Sequence, residues 1–142
     1  MPSLCRHIVE SNDWDENMAA RRGNYTLFSE EIQDSPFLKR VFPDLPKGVC
    51  PWAFPILLAN RGEHDRHLRE LGVPVYTFGE ILHPLLATQN DQAREDAERL
   101  SQQLLLLPVH ARLDAKKVRE IAGRIKAYVS ALPATTLEAV RG

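Results

Sequence analysis

Few side chains in this sequence could take part in catalysis or metal binding, and the histidines are the first candidates. His64 and His67 lie three residues apart on a predicted helix, with Glu63 and Asp65 beside them. A histidine pair at that spacing can share a metal ion. No third ligand is in register, however, and two arginines crowd the same helix. We therefore expect a solvated helix face there and no metal site.

The other three histidines lie outside any predicted helix. His110 follows the Leu-Pro turn after the third predicted strand and is expected to pack over the start of a helix. His83 occupies a predicted loop that follows a strand, the place where α/β folds often bind their ligands. The more general interpretation is a structural histidine, because only some loops carry function. His7 lies near the N-terminus, in a segment that we expect to be frayed.

Motifs for covalent or cofactor chemistry are absent from the sequence. No phosphate-binding loop, dinucleotide fingerprint, serine nucleophile elbow or Cys–His signature occurs, and Cys5 and Cys50 have no partner at zinc-ligand spacing. The lysines are Lys39, Lys47, Lys116, Lys117 and Lys126. None has the buried strand or tight-turn setting of a Schiff-base amine. The residues thus predict no catalytic, cofactor-binding or metal site in this chain.

Composition narrows the class of partner. The 142 residues fit one domain, with 18 basic and 19 acidic side chains and a net charge of −1. Without a basic excess, we expect neither a nucleic-acid partner held by phosphate neutralisation nor an anionic membrane surface. The longest apolar run, residues 104–109, is too short to span a bilayer, and no signal peptide is visible. We expect a cytoplasmic protein.

The spacing of apolar residues predicts the helices that must position any site. The first helix, residues 13–34, has an apolar stripe formed by Trp14, Met18, Tyr25, Phe28 and Ile32. The last, residues 115–132, begins after the predicted N-cap Asp114. Shorter helices are predicted at 62–71, with Asn60 as N-cap and Gly72 just beyond the end, and at 91–103.

Three strands are predicted between these helices, at 49–58, 73–78 and 104–107. The third is also open to interpretation as an extension of the preceding helix. Pro51 and Pro55 cannot donate ladder hydrogen bonds, so we predict that the first strand lies at a sheet edge or contains a bulge. Residues 36–48 are predicted to be an irregular connector and 79–90 a loop.

This alternation predicts an α/β (α+β) fold, a two-layer sandwich with helices on one face of a sheet of about three strands, and a long N-terminal helix. Trp14 is predicted to lie in the core and Trp52 to be half-buried. The remaining predicted core residues are Ile56, Leu58, Val75, Leu105, Leu107, Val118, Ile121, Ile125 and Val129.

An ordered series of short motifs resembles a known family. It comprises Arg-Arg-Gly-Asn-Tyr at 21–25, Pro-Trp-Ala-Phe-Pro-Ile at 51–56, Leu-Gly-Val at 71–73, Ala-Glu-Arg-Leu-Ser at 97–101, Leu-Leu-Leu-Pro-Val-His at 105–110, and Asp114 followed by Val118 and Ile121. Their order and spacing resemble the C-terminal small domain of the DegT/DnrJ/EryC1/StrS sugar aminotransferases. The likeness covers residues 17–129.

The resemblance implies a mainly antiparallel sheet, in the small domain of a fold-type I enzyme that uses pyridoxal phosphate (PLP). In that family the Schiff-base lysine, the aspartate on the pyridine nitrogen and the phosphate-holding residues lie upstream, in a large domain. No residue here matches those positions, so no catalytic or cofactor-binding role is implied. Tyr76, Phe78 and His83 correspond to a stretch near the substrate, and are the predicted substrate-proximal residues.

The resemblance also implies a division of the chain. Residues 1–35 are predicted to form a helix that once led out of the large domain, 36–133 the small α/β domain, and 134–142 a tail. With the large domain missing, we expect Trp14, Met18, Tyr25 and Phe28 to leave an apolar patch. Self-association through this helix, or a large-domain partner chain, would cover it.

Two functions remain open from the sequence. The first is a fragment or domain of a PLP-dependent nucleotide-sugar aminotransferase that is inactive alone. The second is a stand-alone α/β module that binds a protein or a ligand without catalysis.

Overall fold

The structure, a computed structural model, describes residues 3–85 and 92–132. Within these ranges five helices and four strands follow one another. They are α1 (Ser3–Ser11), α2 (Trp14–Glu31), β1 (Leu38–Arg40), β2 (Ala53–Leu58), α3 (Arg61–Glu70), β3 (Tyr76–Thr77), α4 (Gln92–Gln103), β4 (Leu104–Pro108) and α5 (Ala115–Ser130). The predicted tail and the end of the predicted loop, 86–90, lie outside the described residues. No helix in the described ranges is both long and apolar enough to cross a membrane.

The four strands form one antiparallel sheet in the order β1-β2-β4-β3. The predicted antiparallel α+β architecture is therefore confirmed, with one strand more than expected. The extra strand, β1, lies in the predicted connector, where Leu38 pairs with Leu58 and is buried. Three residues with one buried side chain are too few for an alternating pattern to show in the sequence.

The prediction that the first strand lies at an edge is wrong, because β2 lies between β1 and β4. The Pro55 carbonyl oxygen accepts a hydrogen bond from the Val41 amide, with 3.1 Å between N and O. The amide and carbonyl of a strand residue point to the same side, so the missing N–H of Pro55 faces β1 and not β4. Since β1 ends at Arg40, the missing N–H of Pro55 removes little inter-strand hydrogen bonding from the sheet.

One face of the sheet carries the main core. Phe54, Ile56 and Leu58 of β2 and two leucines of β4 are buried there, against residues of α2, α3 and α5. The Phe54 ring lies between two aromatic rings of α2, with its centroid 4.8 Å from that of Tyr25 and 5.6 Å from that of Phe28. Of the nine predicted core residues, only Val129 is half-buried, and it packs against the others.

This packing corrects two expectations for the N-terminal region. Tyr25 and Phe28 are buried by the chain's own sheet, so the apolar patch expected on the first helix is largely covered. Trp14 is not in the core: it is 58% exposed, and its indole N–H donates to the Val9 carbonyl oxygen at 3.0 Å. The segment around His7, predicted to be frayed, is the separate helix α1.

Caps define the long helices. The Asp13 carboxylate accepts from the Glu16 amide and the Asp114 carboxylate from the Lys117 amide, at 2.9 and 2.7 Å. Asp114 thus has its predicted role. Asn60 stands at the N-cap of α3, but its backbone is left-handed and its side chain makes no cap bond, so that expectation is wrong.

Beyond the other end of α3, Gly72 has the positive φ, +72°, that the sequence predicted for a terminating glycine. Arg124 of α5 donates to the Leu71 and Gly72 carbonyl oxygens at 3.0 and 3.1 Å. A Cβ on Gly72 would lie 2.7 Å from Arg124 Nη1. Glycine is therefore favoured at this position by its backbone conformation, and a side chain there would also displace the tip of Arg124.

We expect Ile121→Ala to lower the free energy of unfolding by about 2–5 kcal/mol, because Ile121 is fully buried in the core. Lys116→Ala, on an exposed position of the same helix, is the matched control and should change stability by less than about 0.5 kcal/mol. Urea unfolding of both variants measures the difference. A loss below about 0.5 kcal/mol for Ile121→Ala would contradict the packing of α5 against the sheet.

Two glycine-to-alanine changes should shift stability in opposite directions. Gly72→Ala should destabilise the protein, because alanine disfavours the positive φ and its Cβ meets Arg124. Gly23→Ala, in the interior of α2 with no atom within 4 Å of the added Cβ, should stabilise it by about 0.5–1 kcal/mol. Thermal melts of the two variants measure both shifts in stability. Equal shifts in the same direction would show that the environment of Gly72 is wrongly described.

Candidate functional site

In the described part of the chain, the face of the sheet opposite the main core buries far fewer apolar residues. It holds a small cluster of Leu57 and Ala59 with the half-buried Val41 and Leu104. Toward the start of β2, apolar side chains become exposed, and Trp52 is the most prominent at 70%. Trp52 was expected to be half-buried. It precedes β2, so the pairing that fixes side-chain direction within the strand does not act on it.

An apolar cleft of about 390 Å³ lies on this face. We use the name apolar cleft for the surface formed by Phe42, Val49, Trp52, Pro55 and Leu106 with their apolar neighbours. Among the residues that the structure describes, no charged side chain lines it. Such a surface is costly to leave in water and is typical of a site that binds another molecule.

Two residues of α2 hold the wall of the apolar cleft in place. The Tyr25 hydroxyl donates to the Phe42 carbonyl oxygen at 2.6 Å. The Arg22 guanidinium donates to the Pro46 carbonyl oxygen at 3.1 Å and also to that of Val49. The segment between β1 and β2 is irregular but fixed, because its carbonyl groups are bonded to a helix of the core.

A second cleft, of about 270 Å³, lies on the other side of Trp52. We name it the cationic cleft, because Arg21 and His110 line it together with Trp52 and Tyr76, and no carboxylate of the described residues does. Arg21 Nη1 donates to the Pro51 carbonyl oxygen at 3.4 Å.

Asn24 is buried, and its hydrogen bonds hold part of the backbone that lines the cationic cleft. Its side-chain amide donates to the carbonyl oxygens of His110 and Leu113, at 3.2 and 2.8 Å. These bonds fix the turn that leads from β4 into α5, and so fix the backbone that carries the His110 ring.

The three predicted substrate-proximal residues fall in different surroundings. Tyr76 of β3, 53% exposed, lines the cationic cleft beside Trp52. Phe78 and His83 are exposed beyond β3 and do not line that cleft. His83 Nδ1 accepts a hydrogen bond from the Leu85 amide at 3.2 Å. The role of all three stays a prediction.

The chain after β3 is anchored by an arginine that the sequence analysis did not single out. Arg61 is only 9% exposed, and its guanidinium donates to the Ser101 carbonyl oxygen at 2.6 Å and to Glu80 Oε1 at 3.2 Å. A hydrogen bond from Thr77 and the Arg61 charge hold the pKa of Glu80 below its ordinary value. No local pattern signals this pairing, because 19 residues separate the partners.

Only one member of the histidine pair lies on a solvated face: His67 is exposed as expected, whereas His64 is buried in a structural contact. His64 is only 6% exposed, and its Nδ1 lies 2.7 Å from the Tyr128 hydroxyl of α5, while the exposed His67 ring stacks on the same tyrosine. Burial lowers the pKa of His64 and raises the pKa of Tyr128. Within the described ranges no three His, Cys, Asp or Glu residues are grouped to hold a metal ion.

Comparison with known proteins gives a fold but no sequence relative. No protein-family model matches the chain, and no curated protein does. Solved structures of aminotransferases do match.

TlmJ from Streptoalloteichus hindustanus has a TM-score of 0.68 and 23% identity over 82% of this chain. DesV of S. venezuelae, solved in complex with a ketimine intermediate, has a TM-score of 0.70 and 18% identity over 84%. A DegT DnrJ EryC1 StrS aminotransferase from Brucella abortus has a TM-score of 0.59 and 24% identity over 80%.

In each case the match covers only 31–33% of the solved chain. This chain therefore has the fold of about one third of these solved chains, which is consistent with the C-terminal small domain that the sequence motifs predicted.

The buried His64 should make stability depend on pH. Its pKa is lower in the folded protein than in the unfolded chain, where it is about 6.5. Between these two values the unfolded chain binds more protons, so stability is highest above about pH 6.5 and falls as the pH drops through that value. Urea midpoints at pH 7.5 and 5.5 measure the fall.

The variant His64→Gln should show a smaller fall between these pH values, because the titrating group is gone. His83→Gln, a change at an exposed histidine, is the control and should keep the fall of the unmodified protein. If all three proteins lose the same amount of stability, His64 does not contribute to the pH dependence.

Proposed function

We propose that this chain is the small domain of a PLP-dependent nucleotide-sugar aminotransferase, and that it has no transaminase activity by itself. One observation carries the proposal. Helices bury one face of the sheet, the other face presents the apolar cleft and Trp52, and the matching solved chains are about three times as long. A domain separated from a larger partner would have such an open face.

The lysines of this chain do not fit PLP. When bound as an imine, PLP stabilises negative charge on a substrate carbon, and this requires a lysine amine held over the ring. Lys117 and Lys126 are exposed and paired with Glu120 and Glu31, at 3.0 and 2.9 Å. No lysine lines either cleft. In this proposal the lysine belongs to a large domain.

The contribution of this chain is then to close the site. The large domain would cover the apolar cleft, because burying Trp52 and Phe42 removes apolar surface from water. The cationic cleft would lie at the seam between the domains, with Tyr76 facing the substrate. Excluding water from the reacting centre is a general task of such closing elements.

A large domain that carries the lysine, encoded in the same or an adjacent reading frame, provides the test. Mixed with this chain, it should form a complex and transfer an amino group. Trp52→Ser should weaken the complex by at least about tenfold, as expected for a central aromatic anchor. Leu71→Ser is the control, since Leu71 is also an exposed apolar side chain but lines neither cleft, and it should leave the affinity unchanged.

Borohydride reduction of the chain alone with stoichiometric PLP should label no single lysine to completion, because none of the five lysines is buried. Peptide mapping of the reduced protein measures the labelling. One lysine labelled almost completely, together with turnover of an amino donor, would show that the chain is a minimal enzyme. Failure of the large domain to bind, with no labelling, would favour the stand-alone binding module.

A further inference from the structure

The surface around Trp52 has the residue types that form the centres of protein–protein interfaces. Trp52 and Tyr76 are 70% and 53% exposed, and both line the cationic cleft together with Arg21. Tryptophan, tyrosine and arginine are the side chains that most often carry the binding energy of an interface. The Trp52 residue also borders the apolar cleft, so the two clefts adjoin. A partner that encloses Trp52 therefore also covers Arg21.

Arg21 is a half-buried cation with few bonds of its own. In the part of the chain that the structure describes, its guanidinium makes one hydrogen bond, to the Pro51 carbonyl oxygen at 3.4 Å, and no ion pair. Most of its five N–H donors therefore have no acceptor within the described residues. The side chains three and four residues away on α2, which are its neighbours along the helix, include no carboxylate. They are Asn17, Met18, Asn24 and Tyr25.

Covering Arg21 with a purely apolar surface would be costly. Removing a charged group from water is unfavourable unless the charge is paired and hydrogen-bonded. The other titratable side chains that line the cationic cleft are His110 and Tyr76, and no carboxylate of the described residues does. The compensating charge must then come from the partner. A carboxylate suits this position best, because its two oxygens accept parallel hydrogen bonds from a guanidinium.

The surface is held in shape before a partner arrives. Asn24 donates to the His110 carbonyl oxygen at 3.2 Å, and the Tyr76 backbone pairs with Leu106 in the sheet. A preformed surface loses less conformational entropy when it binds. Docking would therefore need little rearrangement of this chain.

We infer that the partner which encloses Trp52 is a protein surface that places a carboxylate side chain opposite Arg21. Apolar side chains of the same surface would fill the apolar cleft. This assignment rests on the proposed function, in which the large domain is that partner, and it adds the chemistry by which the two would recognise each other. Because a carboxylate–guanidinium pair has a fixed geometry, it would also set the orientation of the two domains.

Calorimetric titration of the large domain with this chain, in buffer without phosphate, tests the inference. Arg21→Gln should weaken the complex by at least about tenfold, because it leaves the partner's carboxylate covered and unpaired. Arg119→Gln is the matched control: it removes the same charge from an exposed position on α5 that lines neither cleft, and it should change the affinity by less than about twofold.

Two further measurements separate an ion pair from a general effect on the fold. Arg21→Lys keeps the charge but not the fork of donors, so it should recover only part of the affinity. Added salt should weaken the complex of the unmodified chain more than that of Arg21→Gln. Far-ultraviolet circular dichroism and thermal melts establish that each variant is folded.

A double-mutant cycle identifies the carboxylate. Acidic residues of the large domain are changed singly to their amides, and each variant is titrated with the unmodified chain and with Arg21→Gln. One of these changes should weaken the complex of the unmodified chain by about tenfold, but that of Arg21→Gln by less than about twofold, because the pair is already broken.

A large domain that binds Arg21→Gln as tightly as Arg119→Gln, or that has no carboxylate coupled to Arg21, would overturn the inference. If Trp52→Ser weakens that same complex, the proposed function stands and only the carboxylate is lost. A large domain that does not bind the unmodified chain overturns both. Sedimentation velocity of the chain alone tests the other occupant. A dimer that Arg21→Gln dissociates would place a second copy on this surface and overturn the assignment to the large domain.

Discussion

The antiparallel pairing of β2 with β4 is the constraint on which the other elements depend. Phe54 lies opposite Leu107 and Ile56 opposite Leu105, and their side chains form the centre of the core. Because side chains alternate along a strand, the same pairing sends Pro55 and Leu106 to the other face. One register therefore creates both the buried core and the apolar cleft. A shift of one residue would exchange the two surfaces.

Around this pair, side chains from distant elements bind the carbonyl groups of the connecting segments. Asn24 holds the turn before α5, Arg124 the end of α3, and Arg22 the wall of the apolar cleft. Asn24 is buried, and a buried polar group is costly unless it is hydrogen-bonded, so its bonds satisfy both partners at once. They also explain why irregular segments on the open face keep a defined shape. The two clefts therefore depend on hydrogen bonds from side chains on the face of the sheet that the helices cover.

The local pattern of apolar residues predicted the helices and strands that repeat it over many residues. It was less successful where a side chain contacts a residue far away in the sequence. The stripe from Val118 to Ile125 and its Asp114 cap predicted α5, and four leucines before a proline predicted β4. The two prolines led to the prediction that β2 lies at a sheet edge. Whether the missing N–H of Pro55 faces a paired strand depends on the register between strands, and the sequence of one strand does not reveal that register. His64 was assigned to solvent because its partner, Tyr128, is 64 residues away.

The candidate site shows the same limit. Tyr76 was singled out by resemblance to a family, but its neighbours Arg21 and His110 come from a helix and a turn that only the folded sheet brings together.

Trp52 lies between the two clefts, and its position joins the structural and functional arguments. Its ring borders an apolar surface on one side and a surface with two basic side chains on the other. A protein that needed only to remain folded would gain nothing from this exposure, since burying a large aromatic side chain contributes more than leaving it in water. In the proposed function the large domain would cover the apolar side of Trp52, and this would remove the ring from water.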